Sequence, residues 1–378
     1  MPVPRRIAAL AVLAALALAA VSLAHRSPAA HREGPPVQTR ASYLRSAAAG
    51  VARSRAWWDA GRHWYRQRLG SSQLATNWGI VHLFGATSAL AIADPTPAHR
   101  AAVRAFARGA ERYWNPDLRP VPGYGPTVGR RGAGSRAWYD DEGWWGIAFY
   151  DAYRATGDRR YLASADRALA FVDSGWDPLG GGIYWDTGRT FKASEGLVGA
   201  TLLASYRYLD TRSPRFLAMA ERYIAWADAH LRDGDGLYSS RPRGGVAMPY
   251  VEGPMAVAFA VLCRATGDRA WCTRAESLAG RTVERFPRLT MGPQYDSLYI
   301  RALLELYRFD GNRRWYHVAA RATDRALASA RAPGGLYLRT WDGRAITTIG
   351  TDPGKLQTHA ATTSAAAWMA AAKPPRQP

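Results

Sequence analysis

The sequence predicts an all-α protein folded as an (α/α)6 barrel: six helical hairpins, with an inner and an outer ring of six helices. Three observations predict it. Apolar helices alternate with amphipathic ones; a short turn phrase recurs between the members of a pair; and a glycine-rich phrase recurs between one pair and the next. A helix that is apolar all round is buried, whereas one with a polar face meets water, so the alternation separates an inner layer from an outer one. An open α-solenoid would not need it.

Taken in order, the chain opens with a basic stretch, Met1 to Arg6. An apolar run from Ile7 to Ala24 follows, interrupted only by Ser22. This reads as an export signal, with Ser22-Leu23-Ala24 offering small residues for cleavage, or as an uncleaved N-terminal membrane anchor. Arg5-Arg6 hints at a twin-arginine signal, and the lack of a nearby Cys excludes a lipoprotein. Residues 25–40, with Pro28, Pro35 and Pro36, read as a flexible tether, 41–372 as the barrel and 373–378 as a disordered tail. The protein is expected to be secreted or anchored on the extracytoplasmic side of a membrane.

The apolar helices are expected to start near residues 77, 140, 194, 252, 295 and 356, and the amphipathic ones to lie near 42–65, 97–114, 158–174, 213–231, 268–286 and 312–330. Between them stand Ala-Thr-Gly-Asp-Arg at 155–159 and 265–269, and looser copies at 307–316, 208–216 and 93–97. Gly, Asp and Pro end one helix there and start the next. The second phrase, Gly181-Gly182-Ile183-Tyr184, then Gly236-Leu237-Tyr238, then Gly334-Gly335-Leu336-Tyr337, returns the chain to the next inner helix. Cys263 and Cys272 flank one tight turn, where two antiparallel helices would bring them together; outside the cytoplasm a disulfide is expected.

Composition narrows the function. At 48% hydrophobic residues the chain can build a large core. Its formal charge of +20 is almost all arginine, since Lys192, Lys355 and Lys373 are the only lysines. The arginines are spread along the chain as on solvated outer helix faces, and no zinc-finger, RNA-recognition or P-loop pattern accompanies them, so no nucleic-acid partner is expected. Two Cys without a His cluster make no zinc site, and Asp233-Gly234-Asp235-Gly236 lacks the distal Glu of a calcium loop. No metal or cofactor is expected.

If every inner helix begins after a long loop, all six N-termini share one rim, where function belongs. That rim gathers Asn77, Trp78, Trp138 to Glu142, Lys192, Glu195, Tyr250, Glu252, Gln294, Tyr295, Asp296, Gln357 and His359: carboxylates, amides and aromatics, suited to a carbohydrate. The most unusual stretch is Trp138-Tyr139-Asp140-Asp141-Glu142-Gly143-Trp144-Trp145. A helix start is well served by one acid. Three in succession among large aromatics exceed that need. Glycosidic cleavage uses two carboxyls of unequal acidity; adjacent acids push each other's titration apart, and aromatic walls raise the acid further.

Tyr139 to Trp145, the Thr156-Gly157-Asp158 turn with Tyr161-Leu162, and the Gly181 to Trp185 loop with Lys192 together resemble glycoside hydrolase family 76, the endo-α-1,6-mannanases. The likeness spans roughly 41–372. It implies Asp140 as nucleophile and Asp141 as general acid/base in a retaining mechanism, on α-1,6-linked mannan or a mannan-containing envelope glycan, without a cofactor. The substrate-binding set expected beside them is Asn77, Trp78, Tyr139, Trp144, Tyr184, Trp185, Lys192, Glu195, Glu252, Gln294, Tyr295 and Asp296. Where the family commonly carries asparagines after the loop lysine, this chain has Ala193-Ser194-Glu195-Gly196. The expected partners are the glycan polymer and, through the N-terminus, the membrane or envelope; the chain is expected to act as a monomer. The alternatives are a hydrolase of another sugar, a histidine-dependent sugar epimerase on the same barrel, and a non-catalytic glycan-binding envelope protein.

Overall fold

In the computed structural model, residues 38–344 and 354–375 are described. The export-signal or anchor reading of 1–24, most of the tether and the last three residues of the tail fall outside them. Among the described residues no helix is long and apolar enough to cross a membrane.

Twelve α-helices carry these residues: α1 (Arg40–Arg53), α2 (Asn77–Ala93), α3 (Pro97–Ala110), α4 (Tyr139–Thr156), α5 (Arg160–Asp173), α6 (Ser194–Thr211), α7 (Pro214–His230), α8 (Pro249–Thr266), α9 (Arg269–Arg285), α10 (Pro293–Asp310), α11 (Arg313–Ser329) and α12 (Leu356–Ala371). The even-numbered helices are buried nearly throughout; the odd-numbered ones bury one face, as Val103, Phe106, Ala107 and Ala110 do on α3. Each even helix packs on the next even helix, and α12 packs on α2, so the inner ring closes. The first outer helix, α1, packs chiefly on the last inner one, α12, so the two ends of the barrel sequence complete the outer layer.

The tight turns behave as read. Gly157 and Gly267 follow α4 and α8 in the left-handed region at φ 75° and 80°, which glycine enters without steric cost. Asp268 and Asn312 then cap α9 and α11 by accepting from Ala270 and Arg314 N–H. Cys263 and Cys272 are disulfide-bonded across one of these turns.

One boundary differs. The first amphipathic helix, expected over 42–65, ends at Arg53. A 3-10 turn over Ser54–Trp57 follows, then a hairpin of β1 (Trp58–Asp59) and β2 (Trp64–Tyr65). Asp59 takes Arg62 N–H and the side chains of Arg62 and Arg66, which favours the turn over another helical turn. A second small hairpin, β3 (Trp114–Asn115) with β4 (Gly123–Tyr124), lies between α3 and α4.

Candidate active site

The six inner helices begin on one rim, and equivalent positions face equivalent ways. Their second residues are Trp78, Asp140, Glu195, Tyr250, Gln294 and Gln357. These residues and Tyr295 form a chain of neighbours. Gln357 Nε2 donates to Trp78 O at 2.8 Å. The Trp78 and Tyr295 rings are 6.1 Å apart, those of Tyr295 and Tyr250 4.8 Å. The Tyr250 hydroxyl meets the Glu195 carboxylate, and Glu195 acts on Asp140 through its charge. Asp141, one residue on, acts on Tyr295.

The approach of α6 to α4 has a sequence cause. A Cβ on Gly199 would lie 3.2 Å from Gly143 Cα, and a Cβ on Gly196 would lie 3.4 Å from Asp140 N. Only residues without side chains let two helix backbones come so close. Glu195 is thereby held beside Asp140.

Every carboxyl here resists ionisation. Burial, then the charge of Glu195, pushes Asp140 up to about 7, while Asp141 N–H and the Trp185 indole act against the rise. Burial, then Asp140, pushes Asp141 well above the carboxylate range. Burial also raises Glu195, against the pull of Ser194, Tyr250 and Arg241. Asp140 Oδ1 is buried without a hydrogen-bond partner. One turn below Asp140 on the same face is Trp144, 2% exposed, with its indole N–H unpartnered. His82, one turn below Trp78, has an unpartnered Nε2, and burial holds it down at about 3. Buried polar atoms are normally satisfied, so these unpartnered groups set this end of the inner ring apart from its apolar packing.

The fourth residues of the inner helices do something else. Glu252 accepts Tyr238 N–H at 2.9 Å, Asp296 accepts Gly292 N–H at 3.1 Å, and His359 Nδ1 accepts Tyr337 N–H at 3.0 Å. Each pins the loop that precedes its own helix. Glu252 and Asp296 therefore belong to the loop anchors, not to the ring of second residues. His359 is stacked between Trp57 and Tyr337, its Nε2 2.8 Å from Gly50 O, so both ring nitrogens are engaged. His359 is thus a packed, doubly bonded side chain rather than a free rim histidine.

Other members of the expected set also lie outside the cleft. Lys192 pairs with Asp177 at 2.7 Å and stands over the Tyr184 and Trp226 rings, so Lys192 and Tyr184 clasp their loop to outer helix α7. Tyr139 is buried against Phe171 and Gly175, toward α5. Asn77 is buried, its Oδ1 accepting Trp78 N–H at 2.8 Å. Trp144 is floor rather than wall. Trp185 keeps its place beside Asp140, stacked on Phe191 at 5.1 Å. Tyr250, noted on the rim but left out of the expected binding set, is central; its position as second residue of α8, equivalent to Asp140, is the signal that could have found it. Asp233 accepts from Asp235 and Leu237 N–H, a plain turn, and among the described residues no His, Cys, Asp and Glu group could hold a metal.

The sequence model of glycosyl hydrolase family 76 matches residues 131–291, the stretch that carries Asp140, Asp141, Glu195 and Tyr250. Over that stretch the chain is similar to glycosyl hydrolase family 76. Solved structures agree on the fold of this glycoside hydrolase. A family 76 α-mannanase of Bacteroides thetaiotaomicron aligns with TM-score 0.77 and 22% identity over 88% of this chain and 96% of its own. A family 76 mannosidase of the same species gives 0.76 and 20% over 88% and 98%. An inactive α-1,6-mannanase variant of a Salegentibacter species, with two adjacent aspartates changed to asparagine and α-1,6-mannotriose bound, gives 0.70 and 17% over 87% and 99%. No curated protein matches.

Proposed function

We propose that this glycoside hydrolase cleaves α-1,6-mannosidic linkages within a mannan or a mannan-containing envelope glycan, with retention of configuration. The observation that carries the reading is a pair of adjacent, half-buried carboxyls of unequal acidity at the start of α4. Asp140, the more readily ionised, is the nucleophile; Asp141, held protonated, is the acid. The Asp140 carboxylate attacks the anomeric carbon, the glycosidic C–O bond breaks, and Asp141 gives its proton to the departing oxygen. Asp141, now a carboxylate, takes a proton from water as that water's oxygen displaces Asp140 from the sugar. The Asp140–Trp185 contact favours the ionised nucleophile. The linkage is supported by the Salegentibacter neighbour, an α-1,6-mannanase inactive when its two adjacent aspartates are replaced.

The test is incubation of the full chain with linear α-1,6-mannan, following products and their initial anomeric form by proton NMR. Oligomannosides released first as the α-anomer are expected. Asp140→Asn and Asp141→Asn should each lower the rate by at least about 10³-fold. Release of the β-anomer would overturn the nucleophile assignment, and equal activity in the variants would overturn the site. We further propose export or anchoring through residues 1–24; fractionation of cells carrying the full chain, with activity retained in the cytosol, would refute it.

A further inference from the structure

Away from the acids, the outer wall of the barrel holds a hollow. The first outer helix, α1, stops at Arg53, and hairpin β1–β2 folds back over the gap between α1 and α3. The gap is not filled. A hollow of about 550 Å³ remains, floored by Thr87 of α2, between Val51 of α1 and Ala102 and Ala105 of α3. That volume is in the range of small-ligand sites. Outer helices end where the long loops begin, so the hollow lies below the rim that bears the acids, on the outside of the barrel.

Its walls are aromatic. The Trp64 and Phe106 rings are 5.2 Å apart, those of Tyr65 and Phe106 6.1 Å, and those of Trp58 and Tyr65 5.0 Å. Trp64 lies flush on α3, because a Cβ on Gly109 would overlap its ring. Trp58, by contrast, stays 38% exposed at the lip. The charged groups of the lining are Arg55, His63, Arg108 and Arg112, all exposed, with no acid among them. Arg55 and Arg108 make no ion pair among the described residues. The nearby acids are taken: Asp59 by Arg62 and Arg66, Glu111 by Arg167. Arg112 donates to Arg62 O and His63 O at 3.2 and 3.1 Å, fixing the hairpin tip with His63 at φ 51°. A non-glycine residue keeps that left-handed conformation only when its surroundings hold it. Other gaps in the outer wall differ. Between α3 and α5, Arg167 is spent on Glu111, and between α7 and α9, Arg274 is spent on Asp228.

We propose that this hollow is a second glycan-binding site, taking a sugar unit that carries a phosphate ester. The sugar ring lies against Trp58. The phosphate dianion accepts from Arg55 and Arg108, whose forked donors match its oxygens. A neutral sugar would leave the guanidinium groups unused, and bare phosphate would leave the aromatic wall in water. The inference rests on the reading of the protein as acting on a glycan, and it places one charged unit of that polymer outside the cleft.

The test is calorimetric titration of the full chain with mannose 6-phosphate, mannose and inorganic phosphate at low salt and about pH 7.5, where the phosphate is largely dianionic. Mannose 6-phosphate should bind at least about tenfold more tightly than either other probe. The double variant Arg55→Gln, Arg108→Gln should weaken it about tenfold or more, and Trp58→Ala about fivefold. All three side chains are exposed, so these variants keep the fold. Asp140→Asn, in the cleft, should leave the binding unchanged. Equal binding of inorganic phosphate would mean an adventitious ion only and overturn the proposal. Equal binding of mannose, binding that survives both the arginine and the Trp58 variants, or binding lost in Asp140→Asn would overturn it too. Binding needs no turnover, so the two readings fail separately. A protein that selects mannose 6-phosphate but leaves α-1,6-mannan intact has lost the mannanase reading alone; one that cuts mannan without the selection has lost this inference alone.

Discussion

The two ends of the barrel axis treat buried charge in opposite ways. At the tight-turn end, Asp151 meets Arg301 at 3.0 Å, and Glu305 takes Arg154 at 2.6 Å and Arg308 at 2.9 Å, with Arg154 and Arg301 lying over the Trp368 ring. Burial opposes ionisation of Glu305, but Arg154, Arg308 and Arg301 outweigh it and hold it down at about 2. At the long-loop end, among the described residues, Asp140, Asp141 and Glu195 make no ion pair with an arginine, only the distant charge of Arg241 acting on Glu195, and Asp140 is driven up to about 7. Asp140 and Asp151 stand three turns apart on the same face of α4, as Gln294 and Glu305 do on α10. One end uses its charges to tie helices together; the other keeps them uncompensated, which is what acid–base chemistry requires.

The largest effect on stability should come from the paired end. Arg301→Met leaves Asp151, 3% exposed, with only the longer Arg154 contact. It should cost about 3–5 kcal/mol, the penalty for stranding a buried ion, read as a lower urea midpoint. A loss below about 1 kcal/mol would show that the cluster is solvated and the contrast false.

The pH dependence of stability should carry both signs. Asp140, raised in the folded state, binds a proton between about 4 and about 7 that the unfolded chain has released, so its contribution is present at low pH and lost as pH rises to about 7. Glu305, lowered, behaves in reverse: its contribution is present above about 4.5 and lost as pH falls toward about 2. Each slope is at most about 1.4 kcal/mol per pH unit. Urea denaturation across pH 3 to 8 should show stability falling above pH 5, and Asp140→Asn should make that limb shallower, with Asp141 and Glu195, also raised, keeping the remainder and the acid limb left in place. An unchanged limb in the variant would remove Asp140 from the account.

The smallest stability effect should come from the glycine contact. In Gly199→Ala the new Cβ, 3.2 Å from Gly143 Cα, spreads α4 from α6, while the better helix former regains about 1 kcal/mol. The net change in stability should stay within about 1 kcal/mol. The hydrolysis rate should nevertheless drop about tenfold, because Glu195 and Asp140 move apart. Activity unchanged by the substitution would mean that the spacing of the two helix starts is not what tunes the cleft.

Much of this was legible in the residues. Alternation of apolar and amphipathic helices gave the two rings, the Gly-Asp turns gave the tight rim, and the acid run Asp140 to Glu142 gave the likeness to family 76. The reading was weaker on which rim residues meet. Glu252, Asp296 and Lys192 have the chemistry of a carbohydrate site, yet their partners are Tyr238 N–H, Gly292 N–H and Asp177, contacts made across loops whose folding no local pattern specifies. Tyr250 looks like any core tyrosine until its place as second residue of α8 is known.

By itself, then, the sequence determined the class of fold and the rim on which the acids Asp140, Asp141 and Glu195 gather, because helical period, turn chemistry and a run of like charges are local properties of the chain. Tertiary structure decided which acids lack a partner. That depends on where the arginines of other helices end: Arg154, Arg301 and Arg308 reach Asp151 and Glu305 across the axis at one end. At the other, glycines bring Glu195 to Asp140 with no cation between them, and a charge's ionisation is set by its neighbours in space rather than along the chain.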